Sequence, residues 1–301
     1  MDTIAYFGHH KCASTYIMSV LRGVAQFLGL RLCSEYVSSR LPLGYEKKPE
    51  QADRIKKAYQ RLATASYDVL GHGNADNAVV ATLENRGPFR GFHVIRDPRD
   101  LLISGYFWHT SENSIDKNPA NEWNVERRQR LQGMPNKEMG LLQELEFSSC
   151  YLAAMAAWNY QQRNILEMRY EEMAGNPRIF FTSAFSFCGL PLVKQSRASM
   201  QRILLNQLTL RIFGRPVLRV HQLPERILEQ ILESRAFSQQ TNGRPCGTEA
   251  PEHKYRKGSP GDWRNHFTPR ITGAFKERYG HILEQLDYEE NEHWSIERKS
   301  L

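Results

Sequence analysis

Ile4-Ala5-Tyr6-Phe7-Gly8-His9-His10-Lys11-Cys12-Ala13-Ser14-Thr15 opens on four strand-forming apolar residues and breaks at a glycine into a polar loop. Beyond the loop, apolar side chains recur at Ile17, Val20, Leu21, Val24, Phe27 and Leu28, the spacing of one helix face. Gly29 then stands where a C-terminal cap belongs. A strand, a glycine-bearing loop and an amphipathic helix thus follow one another directly. Backbone N–H groups of such a loop, with the positive end of the helix dipole, form a cradle for an anion. Lys11 adds a charge to it, and Ser14 and Thr15 add hydroxyls. The order is not that of the Walker A loop, whose lysine directly precedes the Ser/Thr, whereas Lys11 falls three residues before Ser14. His9, His10 and Cys12 also carry metal-ligand atoms, but no partner cluster accompanies them.

Outward from this segment, short apolar runs at Tyr67–Leu70, Phe92–Ile95 and Ile165–Met168 read as strands. Helical spacing covers roughly Met139–Gln162, Pro177–Cys188, Ala198–Leu208 and Pro224–Ser234. The alternation predicts an α/β fold, a single domain over residues 1–301 with a central, mostly parallel sheet flanked by helices. Such a sheet holds its ligand at the carboxyl ends of its strands. Residues 110–137 turn polar and lose periodicity, and are expected to form a surface excursion, a lid or acceptor-site wall. Residues 238–261, rich in Gly and Pro, are expected to be a long loop at the ligand site.

Hydrophobic residues make up 41% and charged residues 24%, enough to build a core and to exclude a disordered chain. Lys+Arg exceed Asp+Glu by 40 to 33, a net charge of +7 scattered among acids. That balance suits a protein handling an anionic ligand better than one coating nucleic acid. The five cysteines are widely spaced with no CxxC pair, which indicates neither a disulfide framework nor a zinc ribbon. No basic-then-apolar leader and no membrane-spanning run is readable, so a soluble, cytoplasmic protein is expected.

Two further motifs carry charge for an anion. Arg96-Asp97-Pro98-Arg99-Asp100 follows the strand at Phe92–Ile95, and Pro98 suits the first turn of a helix. Ser104 lies eight residues past Arg96, so an arginine at the strand end and a serine on the helix can converge on one phosphate. A plain salt-bridged helix cap is the alternative. Near the C-terminus, Tyr255-Arg256-Lys257-Gly258-Ser259-Pro260-Gly261-Asp262-Trp263-Arg264-Asn265-His266-Phe267 sets two basic residues before a glycine. It is a second anion site or an exposed basic turn before a helix near Thr268. Two anion sites together with Tyr16, Tyr170 and Phe237 suit a nucleotide carrying phosphate at both ends.

In these three motifs the chain resembles the PAPS-dependent sulfotransferases, whose cofactor is 3′-phosphoadenosine 5′-phosphosulfate. His10–Tyr16 is similar to their 5′-phosphosulfate loop, Arg96–Tyr106 to their 3′-phosphate motif, and Arg256–Phe267 to their RKGxxGDWxNxF segment. The resemblance implies that Lys11 contacts the bridging and sulfuryl oxygens, with His10, Cys12, Ala13, Ser14 and Thr15 completing the cradle. It also implies that Arg96, Ser104, Arg256, Lys257 and Gly258 hold the 3′-phosphate. Tyr16, where the family usually has Trp, would stack on adenine beside Tyr170 and Phe237.

By the same resemblance a histidine after an early strand serves as general base, which falls on His72 in Gly71-His72-Gly73. The family's Lys-Thr-His context is absent there, so His109 and Glu112 stand as alternatives. The implied reaction is in-line sulfuryl transfer to a hydroxyl or amine of a small molecule, lipid or sugar, giving PAP. It calls for no metal and no nucleic acid partner, and a homodimer stays open. The competing readings are a P-loop-type kinase, against which the loop order speaks, and a catalytically inactive PAP-binding protein.

Overall fold

Successive side chains of the first strand, β1 (Thr3–Gly8), enter two different apolar clusters: Ile4 and Tyr6 one, Ala5 and Phe7 the other. A strand buried on both faces must lie inside a sheet covered on both sides. The computed structural model describes residues 2–35, 49–111, 122–194, 197–214, 217–218 and 222–296. After β1 come α1 (Ser14–Leu28), β2 (Leu32–Glu35), α2 (Pro49–Thr64), β3 (Val69–His72), α3 (Asn77–Arg86) and β4 (Phe89–Ile95). Next are α4 (Pro98–Thr110), α5 (Glu122–Gln132), α6 (Lys137–Phe147), α7 (Ser149–Ala156), β5 (Ile165–Arg169), α8 (Tyr170–Gly175) and α9 (Pro177–Phe187). The chain ends with β6 (Leu192–Val193), α10 (Arg197–Phe213), β7 (Leu223–Pro224), α11 (Glu225–Ser234), α12 (Phe237–Gln240), a 3-10 turn at Asp262–Asn265 and α13 (Pro269–Gln285).

These elements fall into two compact units. The first comprises Met1–Ser39, Ala52–Ile95 and Trp158–Arg244, and contains the sheet, ordered β2-β3-β1-β4-β5 with every pairing parallel. Crossovers leave β1 toward β2 and β4 toward β5, in opposite directions. The switch point therefore falls between β1 and β4, where Gly8 pairs with Val94. One face of the sheet packs Met18, Leu21, Phe92, Phe180 and Phe181; the other packs Leu62, Leu70, Val79, Leu83 and Trp158. Gly29 ends α1 with φ 69°, donating its N–H to Ala25 and Gln26 carbonyls, as the sequence predicts.

The second unit comprises Arg40–Gln51, Arg96–Ala157 and Pro245–Leu301. Its core joins Leu102, Leu145, Trp263, Phe267, Phe275 and Trp294. Here the sequence reading needs two corrections. The helix expected across Met139–Gln162 breaks at Ser148, whose hydroxyl turns back to Glu144 at 2.8 Å, so α6 and α7 are separate. The polar excursion 110–137 carries α5, which lacks an apolar period because one of its buried residues is an arginine. Arg127 donates to the Phe147 carbonyl at 2.6 Å and is fully buried. All five cysteines are unbridged, two of them away from the interior. No helix among the described residues is long and apolar enough to cross a membrane.

Candidate active site

In the first unit, the loop between β1 and α1 holds two non-glycine residues in the left-handed region, Lys11 (φ 62°) and Ala13 (φ 59°). Each costs on the order of 1–2 kcal/mol, and such strain gathers where a loop is shaped for a ligand. Local bonds hold it: Cys12 N–H and the Ser14 hydroxyl donate to the His9 carbonyl at 3.1 and 3.3 Å. Tyr6 donates to Ser14 Oγ at 3.2 Å, an approach that only Gly8 permits, since a Cβ there would lie 2.0 Å from the Tyr6 oxygen. Ala13 caps α1 with no side-chain acceptor, and the first turn carries no acid. The amides of an uncapped helix start are suited to an anion. Cys12 is buried, whereas His10, Lys11 and Ser14 are half-buried and Thr15 is exposed.

His72 ends β3 directly beside Phe7 of β1, and Ala75 N–H donates to the Gly8 carbonyl at 2.6 Å, binding the two loops together. The imidazole is fully buried, with the Asn74 backbone and the Asp76 carboxylate as its polar neighbours. Burial lowers its pKa to about 4, against the pull of Asp76 and the Asn74 backbone, so it is neutral at pH 7. A neutral imidazole keeps one unprotonated nitrogen, which is the chemistry of a general base.

Beneath the loop runs a chain of contacts that the sequence does not disclose. His9 Nε2 lies 2.8 Å from His93 Nε2, and His93 Nδ1 lies 2.5 Å from Glu167 Oε2. Trp158 donates to the other Glu167 oxygen at 2.9 Å and stacks on His93 at 4.3 Å between centroids. One proton must lie between the two imidazoles, so the chain fixes the ring of the loop's first residue from β4 and β5.

The aromatic residues also belong to this unit. Tyr16 packs against Phe181 at 6.0 Å, and Tyr170 is buried in the same apolar cluster at the start of α8. Phe237 is half-buried under the Arg244 guanidinium at 4.9 Å. Its segment is tied to α1 by Arg235, which donates to the Ser19 carbonyl at 2.9 Å.

In the second unit, the two basic motifs meet through one carboxylate. Asp100 accepts from the Gly261 and Trp263 N–H groups at 2.6 and 2.9 Å and lies 3.7 Å from Arg96. Burial pushes its carboxyl up, while Arg96 and the two amides pull the other way. Arg99, almost fully buried, pairs with Asp97 and Glu289 and stacks on Trp263 at 3.9 Å. Asp262 gathers Arg256 at 2.5 Å, His266 at 3.0 Å, and Lys257. Burial opposes its ionisation, but hydrogen bonds from His266, Lys257, Asn265 and Arg256 outweigh that and hold it far below the usual carboxylate range. Gly258 has φ 76°, a turn that carries Arg256 and Lys257 back to this carboxylate. Ser104 is half-buried on α4.

Glu249, Asp262 and His266 bring ligand atoms within 4.8 Å, but Asp262 already accepts from four donors, the chemistry of an ion-pair network. Asp100→Ala would remove the acceptor of the Gly261 and Trp263 amides and the carboxylate beside Arg96. A loss of about 2–4 kcal/mol in urea unfolding is expected, smaller for Asp100→Asn, and a loss under about 1 kcal/mol would contradict this role.

Of the other base candidates, Glu112 lies outside the described residues. His109 is buried with both nitrogens engaged: Nδ1 is 3.0 Å from each Glu144 oxygen, and Nε2 accepts from Arg127 at 3.1 Å. Burial opposes Glu144 ionisation, but its pairing with His109 and Arg127 keeps the carboxyl below its ordinary value.

Residues 89–287 match the family profile described as sulfotransferase domain. No curated protein sequence matches the chain significantly. Among solved structures, a mouse sulfotransferase, SULT7A1, complexed with PAP is similar at 13% identity over 95% of this chain and 85% of that one, with a TM-score of 0.49. Retinol dehydratase in complex with androsterone and inactive cofactor PAP follows at 14% identity over 94% and 80%, with a TM-score of 0.44. Its complex with retinol and PAP stands at 15%, 93% and 81%, with a TM-score of 0.39.

Proposed function

The chain belongs to the sulfotransferase family, and from that premise we propose a division of labour among its residues. The reaction is sulfuryl transfer from PAPS to an acceptor hydroxyl or amine. PAPS supplies the activated sulfuryl group and departs as PAP. Lys11 and the amides of the loop before α1 neutralise charge at the sulfuryl end, where the leaving oxygen becomes negative. Arg96, Ser104, Arg256, Lys257 and Gly258 hold the 3′-phosphate, and Tyr16, Tyr170 and Phe237 hold the adenine. Asp262 holds Arg256 and Lys257 close together before the nucleotide arrives. His72 takes the acceptor's proton at a ring nitrogen.

The observation that carries this reading is the uncapped start of α1 behind the left-handed Lys11 and Ala13. An apolar or polyol ligand has no use for a strained loop leading into an uncapped helix start; an anion does. The acceptor is a small molecule, a lipid or a sugar. A cytoplasmic location and a homodimer belong to the same proposal, with residues 1–301 acting as one sulfotransferase domain. Full burial of His72 favours a second reading, PAP binding without transfer. Incubation with radiolabelled PAPS and a panel of phenols, alcohols, lipids and sugars separates the two. Label on at least one acceptor is expected; tight PAP binding with no labelled product from any class would favour the second reading.

A further inference from the structure

Helix α10 buries Ile203 in the core yet carries a second apolar side outward. Asn206 and Thr209 are buried on its inner side, where Asn206 exchanges hydrogen bonds with Leu218 N and O at 2.7 and 2.5 Å. Gln207 donates to the Phe27 carbonyl at the end of α1 at 2.7 Å. Leu204, Leu205, Leu208, Ile212 and Phe213 are meanwhile exposed, as is Val217 beyond the helix. These are six of the eight large hydrophobic residues exposed among the described residues. At about 100° per residue, Leu204, Leu208, Ile212 and Leu205 form one stripe opposite the inner side. Arg211 borders the stripe on one side and Arg202 on the other. A continuous apolar patch of this kind marks a surface that something covers.

Charge identifies what covers it. From Gly189 to Pro224 the chain has no Asp or Glu and six basic residues, Lys194, Arg197, Arg202, Arg211, Arg215 and Arg219. A second copy docking on the same face would set two such segments against each other, and like-charge juxtaposition opposes that. A bilayer bearing anionic headgroups satisfies both features, taking the leucines into the acyl boundary and the arginines at the phosphate level. We propose that α10 is an interfacial helix that seats this protein on an anionic membrane surface without spanning it. The mode of attachment does not depend on the catalytic assignment, since none of the nucleotide-site residues lies on α10.

The test is co-sedimentation of the full chain with phosphatidylcholine vesicles, with and without phosphatidylserine. Binding is expected only with phosphatidylserine and should weaken as salt is raised, because the headgroup attraction is screened. Leu208→Ser with Ile212→Ser should reduce binding by about tenfold or more for each side chain withdrawn from the acyl boundary. Arg202→Ser and Arg211→Ser should each reduce it about fivefold on the anionic vesicles alone. Both pairs are exposed, so melting temperatures should stay at the parent value, and the arginine pair keeps the test alive should the leucine pair misfold. Absence of vesicle binding at low salt would overturn the proposal, as would binding indifferent to both pairs. A dimer in solution that Leu208→Ser with Ile212→Ser dissolves, without vesicle binding, would assign the face to a second copy.

Discussion

Lys11→Ala will lower turnover by about 100-fold or more, the scale of a lost oxyanion donor, while weakening PAP binding far less. The separation follows from where the charge develops. In bound PAP the loop meets a phosphate that the amides before α1 and the hydroxyls of Ser14 and Thr15 also contact in the proposed pose. During transfer, negative charge grows on the bridging oxygen, and a fixed ammonium there acts mainly on the transition state. Lys11 is also one of two strained residues in the loop, at φ 62°. Lys11→Arg keeps the charge but spreads it over a planar fork, so only partial rescue is expected. Steady-state rates with PAPS, set beside calorimetric PAP affinities, read both quantities. Turnover unchanged by Lys11→Ala would show that the loop only binds.

His72→Ala should abolish acceptor sulfation, by about 100- to 10,000-fold, while leaving affinity for PAP nearly intact. The pH profile discriminates further. Burial lowers the His72 pKa to about 4, so the acidic limb of turnover in the parent should lie well below the ordinary histidine range. The same shift has a stability consequence. Because the folded value lies below the unfolded one, protonation favours the unfolded chain. His72's contribution is complete above about pH 6.5 and is lost progressively as pH falls toward 4, up to roughly 3 kcal/mol. His72→Gln should flatten that part of the curve in urea unfolding between pH 4 and 7. An active His72→Ala with an inactive Glu112→Gln would move the base elsewhere and leave Gly71-His72-Gly73 as a turn.

The parts of the molecule that could be read from sequence are those where local chemistry and burial agree. β1, the loop and α1 form a strand with two buried faces, a glycine at a close approach and a helix with one apolar side, so each level points the same way. The basic residues Arg96, Arg256 and Lys257 stand out in the sequence as expected anion contacts, but the carboxylates they meet in the fold, Asp100 and Asp262, do not. The joints between motifs were not legible. Asp100 reads as a salt-bridge partner in Arg96–Asp100, and only the fold sets it under the amides of Gly261 and Trp263. His9, His93 and Glu167 come from three distant segments, and the parallel register that sets His93 beside Glu167 is a tertiary fact. α5 escaped notice because a buried arginine replaces an apolar residue, and the helix expected at Ala198–Leu208 is present as α10, though three of its four leucines are exposed. Periodicity reports that a helix has a face, not which way the face looks.

A nucleotide with a phosphate on its 3′ carbon distinguishes this chemistry from that of a kinase, and the measurement is correspondingly simple. The melting temperature is followed with PAP, ATP and adenosine 5′-phosphate at equal concentrations. Ligand that binds only the native chain at about 100 times its Kd adds about 2.7 kcal/mol of stability. PAP is expected to raise the melting temperature by several degrees, and Arg256→Ala to remove most of that rise. ATP and adenosine 5′-phosphate, which lack the 3′ group, should shift it much less. Equal stabilisation by PAP and ATP, unchanged in Arg256→Ala, would contradict the assignment of Arg96, Ser104 and Arg256 to the 3′-phosphate, and with it the proposed site.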